Sequence, residues 1–257
     1  MALVKTLEER GYPVGWESFF EENLPLIKQV DNVIIKKEWD ITPIPDDVFK
    51  AYELVQPSEI KVIIMGMDPY YNGSAMGLAF SVNPEYGKVP PSLKNIFKVV
   101  KKNTGKDSQC VATGDLTPWA KQGIFLLNAS LTATYGSSGG CGRVWDGFII
   151  RTLEYIFKIK RDHIIPELES DDDSQDEDDE VEHKTKQQVN QELERSSKPI
   201  TLLWGQNAKA YEKYCTGDVL TSSHPSPFSY ERGFSTCDHF SEVNRLLKKA
   251  GHTPIIW

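Results

Sequence analysis

A short apolar run that ends beside a carboxylate constrains the fold of this chain most strongly. Residues 61–65 (Lys-Val-Ile-Ile-Met) have the composition of a buried strand, and Gly66 and Pro69 bound the run. Such a strand is typical of the centre of a parallel sheet, and open α/β sheets bind ligands beyond the carboxyl ends of their strands. Asp68 follows at that end, so we expect its carboxylate to face a ligand crevice. An ordinary Asp-Pro loop is the alternative interpretation.

Strand-like and helical patterns alternate along the rest of the chain. Three more apolar runs have strand character: residues 123–128, 200–204 and 218–222. Amphipathic helical patterns cover 92–100 with Ser92 as N-cap, 144–160, and 240–250 with Gly251 just past the end. An N-terminal helical region, within residues 1–55, precedes the first strand. This alternation predicts the α/β class, with a central four-stranded parallel sheet flanked by helices.

The predicted strands deliver unusual polar residues to one place. Asn128 ends the second strand, Gly205 and Gln206 follow the third, and His224 follows the fourth. The carboxyl ends of parallel strands meet at one edge, so we expect Asp68, Asn128 and His224 to form a catalytic cluster there. Each also has an ordinary explanation on its own: Asn128 as a turn residue, Gly205 as a helix-entry glycine, and His224 as a packed imidazole.

Length and composition favour one domain over residues 1–257. The chain has 257 residues, 39% of them hydrophobic, which is enough for one sizeable core. It has neither an apolar run of the ~20 residues that span a bilayer nor a signal-peptide pattern at its start, so we expect a soluble, intracellular protein. The four cysteines form no Cys-x-x-Cys pair, which argues against a zinc site or a redox dithiol.

The net charge of −8 is concentrated in one segment. Residues 167–182 contain eleven acids and no base, and without them the net charge changes from −8 to +3. We therefore expect a mildly basic body whose cations can approach phosphates. The segment itself has almost no apolar residues, so we interpret it as a disordered insertion. A plain solvated loop and an autoinhibitory DNA mimic or partner tail both remain open as its role.

Six short motifs follow one another along the chain: 66–71 (Gly-Met-Asp-Pro-Tyr-Tyr), 77–82, 89–92, 126–128, 203–205 and 224–228 (His-Pro-Ser-Pro-Phe). Together they resemble the main family of uracil-DNA glycosylases, and the likeness covers residues 16–257 except the acidic segment. In the same order, the motifs are similar to the family's water-activating motif, the segment with a base-stacking phenylalanine, the proline-rich loop, the uracil-reading strand end, the glycine-serine loop and the minor-groove loop.

The resemblance implies hydrolysis of the bond between uracil and deoxyribose in DNA, after the nucleotide has been flipped out of the stack. Asp68 would activate water and stabilise the sugar cation, and His224 would stabilise the departing uracil. The implied uracil-binding residues are Met67 through its backbone, Tyr70 by excluding the thymine methyl group, Phe80 by stacking, and Asn128 by pairing with the uracil edge.

The resemblance also implies a set of DNA contacts that do not read sequence. These residues are Pro91, Ser92, Gly205, Gln206, Ser226, Pro227 and Phe228. Phe228 stands where the family usually has an intercalating leucine, so it would act as a wedge in the minor groove. Ordinary loop packing of Phe228 is the alternative.

The sequence departs from the family pattern at four places. Met67 replaces a usual glutamine, Tyr71 a frequent histidine, and Gln206 a frequent serine. The glycine-rich residues 135–143 stand where the family carries a Ser-His pair. The changes at Tyr71 and Gln206 concern water positioning and phosphate contact, and Met67 is expected to be tolerated because its contact to uracil is through the backbone. The reaction type is expected to persist.

The resemblance implies no cofactor and no metal, and a monomer whose partner is DNA, single- or double-stranded. A protein inhibitor or replication proteins are further partners that it leaves open. A replication accessory that tethers a polymerase on the same fold is the rival function, and a glycosylase for other damaged bases is a second. Retention of Asp68, Tyr70, Phe80, Asn128 and His224 favours the enzyme, because a tether does not need them.

Overall fold

A parallel sheet forms the centre of the computed structural model, which describes residues 3–137, 141–162 and 197–257. The acidic segment 167–182 lies outside these residues. The described strands are β1 (Ile41–Thr42), β2 (Val62–Gly66), β3 (Ile124–Asn128), β4 (Ala133–Thr134), β5 (Ile200–Trp204) and β6 (Val219–Ser222). Strands β3, β2, β5 and β6 lie side by side in that order, and all three pairings are parallel. The predicted four-stranded parallel sheet is confirmed.

Helices flank this sheet, as the alternating pattern predicts. They are α1 (Leu3–Arg10), α2 (Glu17–Lys36), α3 (Lys50–Leu54), α4 (Pro91–Thr104), α5 (Thr117–Ala120), α6 (Asp146–Asp162), α7 (Gln206–Lys209) and α8 (His239–Lys249). No helix in the described part of the chain is long and apolar enough to cross a membrane.

The predicted N-cap of α4 is wrong. Pro90 caps the helix and Pro91 is its first residue, so Ser92 already lies within the first turn. A proline fits this first position because its fixed φ suits a helix and its missing N–H would have had no helical partner. The predicted helix end at Gly251 is confirmed: Ala250 caps α8, and Gly251 follows with a φ of 75°.

The core explains why β2, β3 and β5 are apolar at nearly every position. All five residues of each strand are buried. Aromatic rings from α2, α3 and α6 pack together with Phe125 of β3, and the Trp16 and Phe125 ring centroids lie 5.5 Å apart. A second aromatic cluster contains Trp119, Phe240 and Trp257. With its strands packed in this way, the sheet can present only its edges and ends to a ligand.

Helix α1 lies within the predicted N-terminal helical region, and its Leu3 and Val4 N–H groups donate to the Asp31 carboxylate of α2. Strands β1 and β4 were not predicted from the sequence; they form a separate antiparallel pair of only two residues each. Strands this short leave no detectable alternation in the sequence.

Candidate active site

The carboxyl ends of β2 and β3 pack closely against each other at the floor of the site. Gly66 and Asn128 are register partners, and Asn128 is only 5% exposed. A Cβ atom on Gly66 would overlap Asn128 Oδ1 and would lie 2.9 Å from Ala79 Cβ. Glycine at position 66 therefore leaves the space in which the Asn128 amide is held.

A cavity of about 240 Å³ opens at these strand ends. The residues that line it come from the loops after β2 and β6, the loop that carries Phe80, the first turn of α4 and the last position of β3; they are Met67, Asp68, Pro69, Tyr70, Tyr71, Phe80, Ser92, Asn128 and His224. This set contains every residue that the sequence analysis assigned to catalysis or uracil binding. The structure brings these residues together although they are spread over more than 150 positions of the chain.

The loop that carries Asp68 continues the pairing of β2 with β3. Ala129 N–H donates to the Gly66 carbonyl at 3.0 Å, and Ser130 N–H donates to the Met67 carbonyl at 2.9 Å. These bonds fix the backbone immediately before Asp68, whose side chain is partly exposed in the cavity wall. The carboxylate is therefore held at a defined place and remains within reach of water.

Tyr70 and Phe80 form one wall of the cavity. The Tyr70 hydroxyl donates to the Phe80 carbonyl at 3.3 Å, and burial raises the pKa of Tyr70 well above its ordinary value, so the hydroxyl stays protonated. Phe80 has a φ of 64°, which is rare for a residue with a side chain and is typical of functional sites. Its ring centroid lies 5.5 Å from that of Trp204 and 5.9 Å from that of His224.

The hydrogen bonding of His224 defines its tautomer. The Ser226 backbone N–H donates to His224 Nδ1 at 3.1 Å, so Nδ1 carries a lone pair and the ring proton of the neutral form is on Nε2. Burial lowers the pKa of His224 from its ordinary value. The side chain is therefore a neutral hydrogen-bond donor in the cavity at neutral pH.

The loop around His224 is held by residues that sequence reasoning missed. Ser229 Oγ donates to the His224 carbonyl at 2.9 Å. Asn95 of α4, only 7% exposed, donates from Nδ2 to the Pro225 carbonyl at 2.9 Å. Asn95 lies among the inward positions of the α4 pattern, and a polar residue on such a face needs a buried partner. That signal indicates a bond but does not identify the partner, which is 130 positions away.

His239 supports the strand ends beneath the site. Trp204 Nε1–H donates to His239 Nδ1 at 3.0 Å, and the other side of the ring bonds to the Thr221 backbone. This arrangement ties the end of β5 to β6. Burial lowers the pKa of His239, which keeps the ring neutral and able to accept from Trp204. The indole that contacts Phe80 is thereby fixed.

The residues assigned to DNA contact are around the cavity, and only Ser92 also lines it. Pro91, Gln206 and Pro227 are exposed, and Gly205 and Ser226 are partly exposed. Phe228 is 90% exposed, so the alternative of ordinary loop packing does not describe it.

The departures from the family pattern also lie near the cavity. Met67 is 41% exposed, and its sulfur accepts from Asn207 Nδ2 at 2.8 Å. Tyr71 lines the cavity while 46% exposed, and its carbonyl accepts from Gly136 N–H at 2.7 Å. Within the glycine-rich stretch, residues 138–140 lie outside the described part of the chain.

Comparison with curated proteins finds relatives along most of the chain. A protein from Aliarcobacter butzleri named uracil-DNA glycosylase is 37% identical over 222 residues, covering 84% of this chain and 86% of that protein. One from Chromobacterium violaceum with the same name is 33% identical and covers 94% of this chain and 90% of its own length.

Solved structures agree with this likeness. The crystal structure of mimivirus uracil-DNA glycosylase is 25% identical, with a TM-score of 0.72 over 95% of this chain and 86% of its own. The mimivirus UNG Y322L variant in complex with UGI gives a TM-score of 0.75 over 100% of this chain and 91% of its own, again at 25% identity. The sequence model of the Uracil DNA glycosylase superfamily matches residues 53–248, which include every residue of the cavity. The chain belongs to that superfamily.

Proposed function

We propose that Asp68 and His224 are the two catalytic groups with which this DNA-repair enzyme removes uracil from DNA. One observation carries the assignment. A single cavity of about 240 Å³ is lined by the Asp68 carboxylate, by the neutral imidazole of His224 and by the residues predicted to bind uracil. A glycosidic bond breaks with positive charge on the sugar and negative charge on the leaving base, so it needs a partner at each end. The two groups supply these partners.

Asp68 serves the sugar end of the breaking bond. Its carboxylate stabilises the cation that develops at the anomeric carbon and orients a water for attack there. The water adds to that carbon and passes a proton to the Asp68 carboxylate, while the electrons of the C–N bond leave with uracil as an anion. The uracil anion then takes up a proton from solvent, and Asp68 returns its proton to solvent. The product is an abasic site and free uracil.

His224 serves the base end. Its Nε2–H donates to the uracil oxygen on which the negative charge collects, while Nδ1 is occupied by the Ser226 N–H. A neutral donor suits this task because it strengthens its bond as the charge grows and needs no proton transfer. The pKa lowered by burial supports this protonation state.

The remaining cavity residues select the base. The Asn128 amide offers both an acceptor and donors to the uracil edge, where cytosine presents the wrong pattern. Phe80 stacks on the base, and Tyr70 fills the position that the thymine methyl group requires. The backbone at Met67 is held by Ser130 and contacts the base without its side chain.

The exposed residues around the cavity hold the DNA. Ser92, Gln206 and Ser226 contact phosphates, and Phe228 enters the space that the flipped nucleotide leaves. The Y322L variant of mimivirus UNG is solved in complex with UGI, and we extend the binding of such a protein partner to this chain. No observation on the described residues favours a polymerase tether.

Release of free uracil from a single-stranded oligonucleotide tests the assignment. Asp68→Asn keeps the size of the side chain and removes its charge, so we expect a loss of about 10²- to 10⁴-fold in the single-turnover rate. Asp107→Asn is the matched control, because Asp107 is exposed and pairs only with Lys101 at 3.0 Å. No uracil release by the unmodified protein, or equal rates for the two variants, would overturn the proposal.

A further inference from the structure

We propose that Tyr71 and Tyr135 form a stacking surface for the bases that adjoin the flipped uracil on a single DNA strand. The proposal rests on uracil excision from DNA and goes beyond it, since it names a base-binding surface that extends from the rim of the cavity and the form of DNA that fits it. The two tyrosines are 46% and 56% exposed, although both are large aromatic residues.

The backbone under both rings is anchored. Gly136 N–H donates to the Tyr71 carbonyl at 2.7 Å, and Tyr135 N–H donates to the Asp40 carbonyl at 2.7 Å. Tyr135 also packs on Gly73, where a Cβ atom would lie 3.0 Å from Tyr135 Cε2. Gly73 has a φ of +85°, so both its conformation and its close contact exclude a side chain. The rings are therefore presented to solvent from a fixed base.

The position of this pair relative to the cavity indicates its ligand. Tyr71 lines the cavity itself, so the surface is continuous with the site of the flipped base. Tyr71 follows β2, and Tyr135, which follows β4 of the separate two-stranded sheet, lies beside it through the bond from Gly136 N–H to the Tyr71 carbonyl. His224 and Phe228 follow β6, which is separated from β2 by β5 in the sheet order. A DNA strand whose uracil is in the cavity extends away from the cavity on both sides of that nucleotide. We therefore assign one side of the strand to Phe228 and the other side to the tyrosine pair.

The chemistry of the pair favours unpaired bases. Aromatic side chains bind single strands by stacking, because every base has a π-face, and this binding tolerates any sequence. Bases in a duplex are already stacked on their neighbours and give up that energy before they can stack on protein. The surface therefore strengthens binding to single-stranded DNA more than to duplex DNA.

The test uses single-stranded oligonucleotides of equal length with the uracil close to the 5′ end, central, or close to the 3′ end. Tyr135→Ala removes one ring, and we expect kcat/KM and affinity to fall about tenfold for strands that extend over the tyrosine side. The loss disappears for strands that extend only in the other direction, and it is smaller for a duplex. Tyr135→Phe keeps the ring and restores the unmodified values.

Ile256→Ala is the matched control, since Ile256 is 71% exposed and its N–H bonds to Gln122, close to the amino end of β3. Affinity is measured by fluorescence anisotropy on strands with thymine in place of uracil, so a failure of the chemistry does not hide the result. A loss that is independent of the uracil position, or equal losses in Tyr135→Ala and Tyr135→Phe, or no loss at all, would overturn the stacking surface.

Discussion

The residues that line the cavity and the residues around its mouth are held by the fold in different ways. Asn128 is part of a strand, is 5% exposed, and touches Gly66 on the neighbouring strand. Phe228 is 90% exposed and extends from a loop. Buried positions on a rigid sheet favour discrimination by exact fit, whereas exposed positions favour contacts that form only with DNA. We therefore expect changes in the cavity to act on kcat and changes at the mouth to act on KM.

Removal of the His224 ring is expected to reduce kcat more than any change at the mouth of the cavity. His224→Ala loses the donor to the leaving base, which typically costs about 10²- to 10³-fold in kcat. Single-turnover rates measure it, with Asp107→Asn as the unaffected control. A change confined to KM would place His224 with the mouth residues instead.

The pH dependence of kcat in the native enzyme reports the protonation state of His224. Burial lowers the pKa of His224 below its ordinary value near 6.5, so the neutral donor persists through neutral pH and is lost only when the pH falls below that value. The acid limb of kcat that depends on His224 should lie below pH 6.5 and should be absent in His224→Ala. A His224-dependent limb above pH 7 would contradict a pKa of His224 that burial lowers.

A methyl group at position 66 should displace the Asn128 amide and slow uracil release. In Gly66→Ala the added Cβ collides with Asn128 Oδ1, so the amide must move or the strands must separate. We expect a loss of stability of about 1–3 kcal/mol and a fall in uracil release of roughly tenfold or more. Gly87→Ala is the control, because nothing lies within 4 Å of its added Cβ. Its φ of +73° means that this variant carries backbone strain but no collision. Normal uracil release with the added methyl group would contradict the close contact.

The hydrogen bond from Asn95 of α4 to the Pro225 carbonyl connects a distant helix to the loop that carries His224. Asn95→Ala leaves the Pro225 carbonyl without its donor, at a cost of about 1–3 kcal/mol in stability. We expect a moderate fall in kcat, with KM for short strands little changed and the pH limb of His224 displaced. A stability loss with unchanged kcat and an unchanged pH limb would show that the bond supports only the fold.

Removal of the exposed Phe228 side chain should have the smallest effect on stability and on uracil release. Phe228→Ala removes a side chain that is 90% exposed, so the free energy of unfolding should change by no more than about 0.5 kcal/mol. We expect kcat/KM to fall more for uracil in a duplex than for uracil in a single strand, because the wedge fills the space of a flipped base. Equal losses on both substrates would contradict the wedge role of Phe228.

The sequence predicted the parts of this molecule that follow from local pattern. Asp68, Asn128 and His224 could be placed together because each follows an apolar strand, and parallel strands end at one edge. The contacts that hold these residues were not predictable, since the Asn95 bond to Pro225 joins positions 130 apart. The cap of α4 was predicted wrongly because serine is a favoured N-cap residue, whereas the preference of proline for the first helical position places the start at Pro91. The φ of 64° at Phe80 likewise depends on tertiary contacts.

Binding of free uracil tests the central claim most directly, because it does not depend on DNA contacts. A crystal structure of the protein soaked with uracil should show the base in the cavity, stacked on Phe80, paired with the Asn128 amide, and with one oxygen within hydrogen-bond distance of His224 Nε2. Uracil bound elsewhere, or bound in the cavity with His224 Nε2 directed away from it, would contradict the account.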